Sequence, residues 1–179
     1  MSFTFVPEDY GPAVAGLLTG SHEPDLGPGV PNRSAKSLLQ ALTVDAIASG
    51  RNIVDSQLAQ CCLSGLWLWH NYLHESHVIS QDIDTAEGSF WHGIMHRREP
   101  DYGNAKYWFR HVGTHPVYAA LGAEPLVQSL LGKAPWDPFA FVDLCQATAE
   151  GKDRRLSEAT QVAQLEWQLL FDYCYRGAT

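Results

Sequence analysis

The sequence predicts an all-α fold, one compact bundle of six to eight helices spanning residues 1–179 as a single domain. Three observations carry that prediction. Apolar residues recur at helical spacing along most of the chain, period-two alternation of any length is absent, and cap and stop residues punctuate the periodic stretches. There is no internal repeat and no low-complexity tract.

Taken in order, Pro7 to Leu18 reads as a short helix with one apolar face, ending at Gly20. Residues 21–32, SHEPDLGPGVPN, are rich in proline and glycine and read as a loop or arm. Asn32 or Ser34 caps a helix running to Ser49, and Gly50 stops it. Asp55 starts a long helix over about 56–79, apolar almost all round and therefore the centre of the bundle. Asp84-Thr85-Ala86-Glu87 reads as a capping box, with Asp in the usual Ser or Thr place, opening a helix that ends before Pro100. Asn104 caps a short helix to Val112, and Thr114-His115-Pro116 reads as a further cap with proline in the first turn. Asp137-Pro138 opens a helix to Gly151, and Ser157 opens the last one, to Tyr175.

Composition narrows the class. A hydrophobic fraction of 45% against 18% charged residues fits a folded globular chain rather than a disordered one. The net charge of −8 argues against nucleic acid and against an anionic membrane surface, both of which ask for basic patches. The start, MSFTFVPEDYGPAVAGLL, lacks a basic region ahead of an apolar core, so no signal peptide is expected. CCLSGLWLWHNYL is too short to span a bilayer. Cys61, Cys62, Cys145 and Cys174 match neither a zinc spacing nor a disulfide framework, which leaves buried, reduced thiols in a cytoplasmic protein as the expectation. The stripe of LEWQLLFDYCY either completes the core or docks a second copy in a homodimer.

Seven of the eight histidines fall between His70 and His115, which marks that stretch as the place for chemistry, since imidazole is both a metal ligand and a proton carrier near neutral pH. His70, His74 and His77, spaced i, i+4, i+7, share one face of the predicted central helix. His92 and His96 align with Thr85, Ser89 and Glu99 on the next helix, opposite Phe90 and Ile94. Whether this second face meets solvent or a pocket beside the central helix depends on helix rotation. Further along, Arg97, Arg98, Lys106 and Arg110 are interleaved with Tyr102, Tyr107, Trp108 and Phe109, a local basic cluster in an acidic chain that suits an anion. The alternative is that the arginines pair with nearby acids and the aromatics are core.

The block EGSFWHGIMHRREPDYGNAKYWFR, with the histidine-rich helix before it and VGTHP after, resembles an uncharacterised family of bacterial and fungal all-α proteins. That resemblance covers the middle third of the chain and implies no activity, cofactor or catalytic residue.

Three chemistries follow from the residues. The leading expectation is a pocket for a small polar or anionic metabolite, such as a sugar acid, polyol or phosphorylated compound. There His70, His74 and His92 act catalytically with Glu87 orienting a ring, while His77, His96, Arg97, Arg98, Asp101, Tyr102, Asn104, Lys106 and Arg110 bind. The second is a divalent metal held by His70, His74, His92 and His96 from two adjacent helices, with hydrolase or oxygenase chemistry. Glu75, Asp82, Asp84, Glu87 and Glu99 lie near as oxygen donors. HESH is one residue short of the H-E-x-x-H zinc motif. The third is a non-enzymatic helical protein whose histidines only bond their neighbours.

Overall fold

The computed structural model describes residues 3–20, 25–133 and 135–179, and among them it holds eleven α-helices and no strand. A 3-10 turn, Pro7–Tyr10, precedes α1 (Pro12–Leu18), α2 (Lys36–Ala41) and α3 (Val44–Ala48). Then come α4 (Ser56–Trp69), α5 (Leu73–Ser80), α6 (Ala86–Arg98) and α7 (Tyr102–Val112). The chain continues through α8 (Pro116–Ala123), α9 (Pro125–Leu131), α10 (Pro138–Ala149) and α11 (Leu156–Ala178). The all-α expectation holds. The count exceeds six to eight because several segments expected to be continuous are divided.

Each division has a local cause. Gly11, at φ 83°, separates the 3-10 turn from α1, a left-handed position that glycine takes without steric cost. The helix expected over residues 34–49 stops at Leu42, whose ψ of 122° is extended, and restarts where the Thr43 hydroxyl accepts from the Ala46 amide at 3.2 Å. Two caps also move by a few residues. Thr85, not Asp84, caps α6 by accepting from Gly88 N, and Asp101, not Asn104, caps α7.

The consequential correction concerns the central helix expected over 56–79. It breaks at residues 70–72, where Asn71 adopts φ 64°. Asparagine tolerates that region better than other non-glycine residues because its short amide can bond locally. Here the Asn71 amide donates to Val30 O at 3.0 Å, and its carbonyl accepts from Arg98 Nη2. Arg98 also donates from Nη1 to Leu68 O at 2.6 Å and from Nε to Gly27 O at 2.9 Å. A buried guanidinium thus satisfies a terminal carbonyl of α4 and the facing loop at once, a favourable place for a cation at a helix C-terminus. The loop side of this arrangement is the predicted arm. Its residues 21–24 lie outside the described residues, and beyond them Leu26 is buried against the body.

The centre of the bundle is α6, buried at every position from Gly88 to Arg98. It lies against α4, α5 and α7. Two glycines permit the closest approaches. A Cβ on Gly65 of α4 would sit 2.8 Å from the Trp91 ring, and one on Gly93 would sit 3.1 Å from Phe109 of α7. The α11 stripe belongs to the core, with Val162, Trp167, Leu170, Phe171 and Cys174 all in the main cluster. All four cysteines are free and buried, and burial pushes the Cys145 thiol up to about 11. No helix of the described residues is long and apolar enough to cross a membrane.

Candidate metal centre

Three imidazoles meet between α5, α6 and α7. His77 comes from α5, and His92 and His96 stand one turn apart on α6. One ligand nitrogen from each ring lies within 4.8 Å of the other two. The His77 ring stands edge-on to His92 at 4.6 Å and to His96 at 5.3 Å, whereas His92 and His96 stack at 4.8 Å. A tetrahedral ion with bonds of about 2.0–2.1 Å needs its nitrogens about 3.3 Å apart, so the rings, above all the stacked His92 and His96, have to turn for their lone pairs to converge on one ion. His77 is half-buried, so the cluster reaches the surface on the α5 side.

The α7 helix covers the cluster with two side chains one turn apart. Trp108 stacks on His92 at 3.9 Å with 15° between planes. The Asn104 amide nitrogen lies 3.1 Å from Nε2 of His96 and 3.5 Å from its Nδ1. From the end of α6, the half-exposed Glu99 carboxylate approaches Nδ1 of His96 at 3.2 Å. Glu99 thus stands as an acceptor beside Nδ1, which favours the tautomer with the proton on Nδ1 and the lone pair on Nε2.

His92 differs from the other two. It is 2% exposed, and neither ring nitrogen has a hydrogen-bond partner. Burial, with His96 and His77 adding like charge, holds its pKa down to about 3, so the ring is neutral at physiological pH. Burial also lowers His96, against the opposing pull of Glu99. An unmet buried donor or acceptor costs about 1–3 kcal/mol, and such groups in folded proteins mark a water, an ion or a functional role.

The remaining residues expected at a site serve elsewhere. His70 sits at the C-terminal end of α4, with Nδ1 3.0 Å from the Asn32 amide, and lines a separate cleft of about 490 Å³ with Leu17 and Leu38. His74 is exposed on α5. The helix break turns both away from the cluster, so the set His70, His74, His92 and His96 does not assemble and His77 takes the place of the first two. Glu87 faces His115 Nε2 at 3.5 Å rather than His92. Arg97 is fully buried in an ion pair with Glu166 at 2.5 Å, its guanidinium 4.6 Å above the Phe141 ring. Arg98 caps α4, as described above. Asp101 caps α7 through the Asn104 amide at 3.1 Å, and Tyr102 packs half-buried beside it. Lys106 pairs with Asp143 at 2.5 Å, and Arg110 lies over Phe139 at 5.7 Å. These cations are held by the fold, and they do not converge on a common ligand.

Trp108 joins the site, and Glu166 joins its support, without having been expected in those roles, whereas Glu99, expected as an oxygen donor on the His92 and His96 face, lies beside His96. Glu166 had a legible signal: one carboxylate on the apolar stripe of LEWQLLF requires a buried cation. No protein-family model, curated protein or solved structure matches this chain, so its functional reading rests on geometry.

Proposed function

We propose that this protein binds a divalent first-row metal ion, zinc by the character of its donors, between His77, His92 and His96. His92 carries the reading. It is a neutral, buried imidazole with both nitrogens unpartnered, and two further imidazoles stand 4.6 Å and 4.8 Å from it. Neutral rings keep the lone pairs that a metal takes, whereas protonated ones would repel it. Imidazole suits zinc, copper, iron and nickel, and carboxylate-rich sites suit calcium and magnesium.

Three histidines would leave a fourth position of a tetrahedral ion open, and the half-buried His77 gives the cluster access to solvent. Water bound there would lose a proton near neutral pH, so metal-assisted hydrolysis is the reaction class this donor set supports. A non-haem iron oxygenase would instead want a carboxylate as the third ligand. Glu99 bonds His96 and lies outside the group of converging ligand atoms.

Elemental analysis of protein purified without an affinity tag tests this reading. The expected result is one ion per chain that a chelator removes. Re-addition at a hundredfold excess over Kd should stabilise the fold by about 2.7 kcal/mol in thermal melts. His77→Ala, at a half-exposed position, should fold yet lose both the ion and the thermal shift. A His77→Ala protein that keeps both would sink the proposal.

A further inference from the structure

His92 lies between two parallel rings. Trp108 of α7 covers it at 3.9 Å with 15° between planes, and His96 stacks on it at 4.8 Å with 14°. Two rings parallel to a third and this close to it cannot share one of its faces without overlapping, so Trp108 and His96 lie on opposite sides of the imidazole. Trp108 is itself half-buried, with Tyr107 edge-on at 5.4 Å and His111 tilted against it at 5.7 Å. A ring nitrogen offers its lone pair in the plane of the ring, so an ion bound by two imidazoles lies in both planes at once. Nearly parallel stacked planes do not meet within a bond length, and one of the two α6 rings therefore has to tilt.

Resting on the metal reading above, we infer that Trp108 is a positioning residue of this centre: it holds His92 as the fixed ligand, and His96 is the ring that tilts toward the ion. His92 makes no hydrogen bond and is 2% exposed, so packing alone sets its plane, and tilting it would drive it into the indole. The polar neighbours of His96 are two flexible side chains. The half-exposed Glu99 carboxylate stands beside Nδ1 at 3.2 Å, and Asn104 Nδ2 lies over the ring, 3.1 Å and 3.5 Å from its two nitrogens. Both can follow a turning ring by changing rotamer, which a packed indole cannot do as readily. His77 stands across both planes, at 88° and 84°, so no stack holds it. Trp108 also covers one face of a ring whose nitrogens are sealed from water. Removing the indole frees that ring and admits water to it in the metal-free state, and both changes weaken binding.

The test is NMR of the full chain without and with saturating Zn2+, together with Zn2+ affinity measured by competition with a chromophoric chelator. In the wild type, Overhauser contacts between the Trp108 and His92 ring protons should persist on loading, whereas those between His92 and His96 should weaken as their planes open. Trp108→Leu should bind about two- to tenfold more weakly, the worth of one aromatic pair. Trp108→Phe, which keeps an aromatic face, should recover most of that loss. Rescue by phenylalanine and not by leucine is more than filling space requires, and thermal melts in chelator identify any variant that fails to fold. Loss of the Trp108–His92 contacts in the loaded wild type would make His92 the ring that turns and overturn the inference while the three-histidine centre stands. Trp108→Leu binding as tightly as wild type does the same. The first of these readouts needs no variant. A wild-type chain that takes up no Zn2+ removes the centre and the inference together.

Discussion

Along α6, residues expected to do chemistry divide into two kinds, and partners rather than burial separate them. Glu87, Arg97 and Arg98 are engaged: Glu87 with His115, Arg97 with Glu166, and Arg98 with Leu68, Asn71 and Gly27. His92 is buried to the same degree as the arginines, yet both its nitrogens lack a protein partner. Arg97 Nε and Nη1 and Glu166 Oε1 are also without a hydrogen-bond partner, but those two side chains are held by one charge-assisted bond between them, whereas His92 makes none. The proposed ion site lies where a ligand-bearing side chain makes no hydrogen bond at all, not where charge is densest.

The largest expected effect lies on the engaged side. Removing one member of the buried Arg97–Glu166 pair leaves a charge without its partner, so Glu166→Ala should cost about 3–5 kcal/mol in denaturant unfolding. The fraction that remains folded should bind metal as the wild type does. Loss of binding with retained stability would erase the distinction between the two kinds of residue.

Next comes the Glu87–His115 contact. The His115 ring, 3.5 Å away, is the largest influence and holds the Glu87 carboxyl below its usual range, against the opposing effect of burial. A depressed carboxylate stabilises the fold at any pH above its unfolded value of about 4.3, and this contribution fades as pH falls through the lower folded value. Glu87→Gln should therefore be less stable than wild type at pH 7, by about 1 kcal/mol, with the gap closing below about pH 4. A gap independent of pH would mean that the carboxylate is not engaged as described.

The smallest effect, and the one most specific to the comparison, is His92→Leu without metal. An apolar side chain of similar size relieves two unmet polar atoms, so the change should be neutral or slightly stabilising in thermal melts. Marked destabilisation of the metal-free variant would show that His92 is as engaged as its neighbours on α6.

Much of this was legible in the sequence, and the failures share one physical origin. The all-α class, the α6 helix and the i, i+4 pair His92 and His96 follow from local periodicity. Asn104 was legible as a site residue, though it had been read as a cap, a role that Asp101 takes. His77 was also visible, but in company with His70 and His74. WLWHNYLHES contains no strong breaker, and only Asn71 hints that the helix ends there. The break is closed by the local bonds of Tyr72 N to Trp67 O and Asn71 N to Leu68 O, and the groups that hold the Asn71 side chain, Arg98 and the carbonyl of Val30, lie far away in sequence. The same holds for the arginines, whose reading as an anion cluster was reasonable until α11 supplied Glu166. Periodicity reports which face of a helix is apolar and is silent about which distant group meets it.

Arg98 carries a consequence for the order of assembly. The bend between α4 and α5 has a local seed, a turn in which the Tyr72 amide donates to Trp67 O at 3.0 Å and the Asn71 amide to Leu68 O at 3.1 Å, with Asn71 in the left-handed region. The contacts from Arg98 close a much longer loop, which costs entropy before they reward it. The turn is therefore expected to form ahead of the docking of α6, and the guanidinium then clamps a corner that already exists.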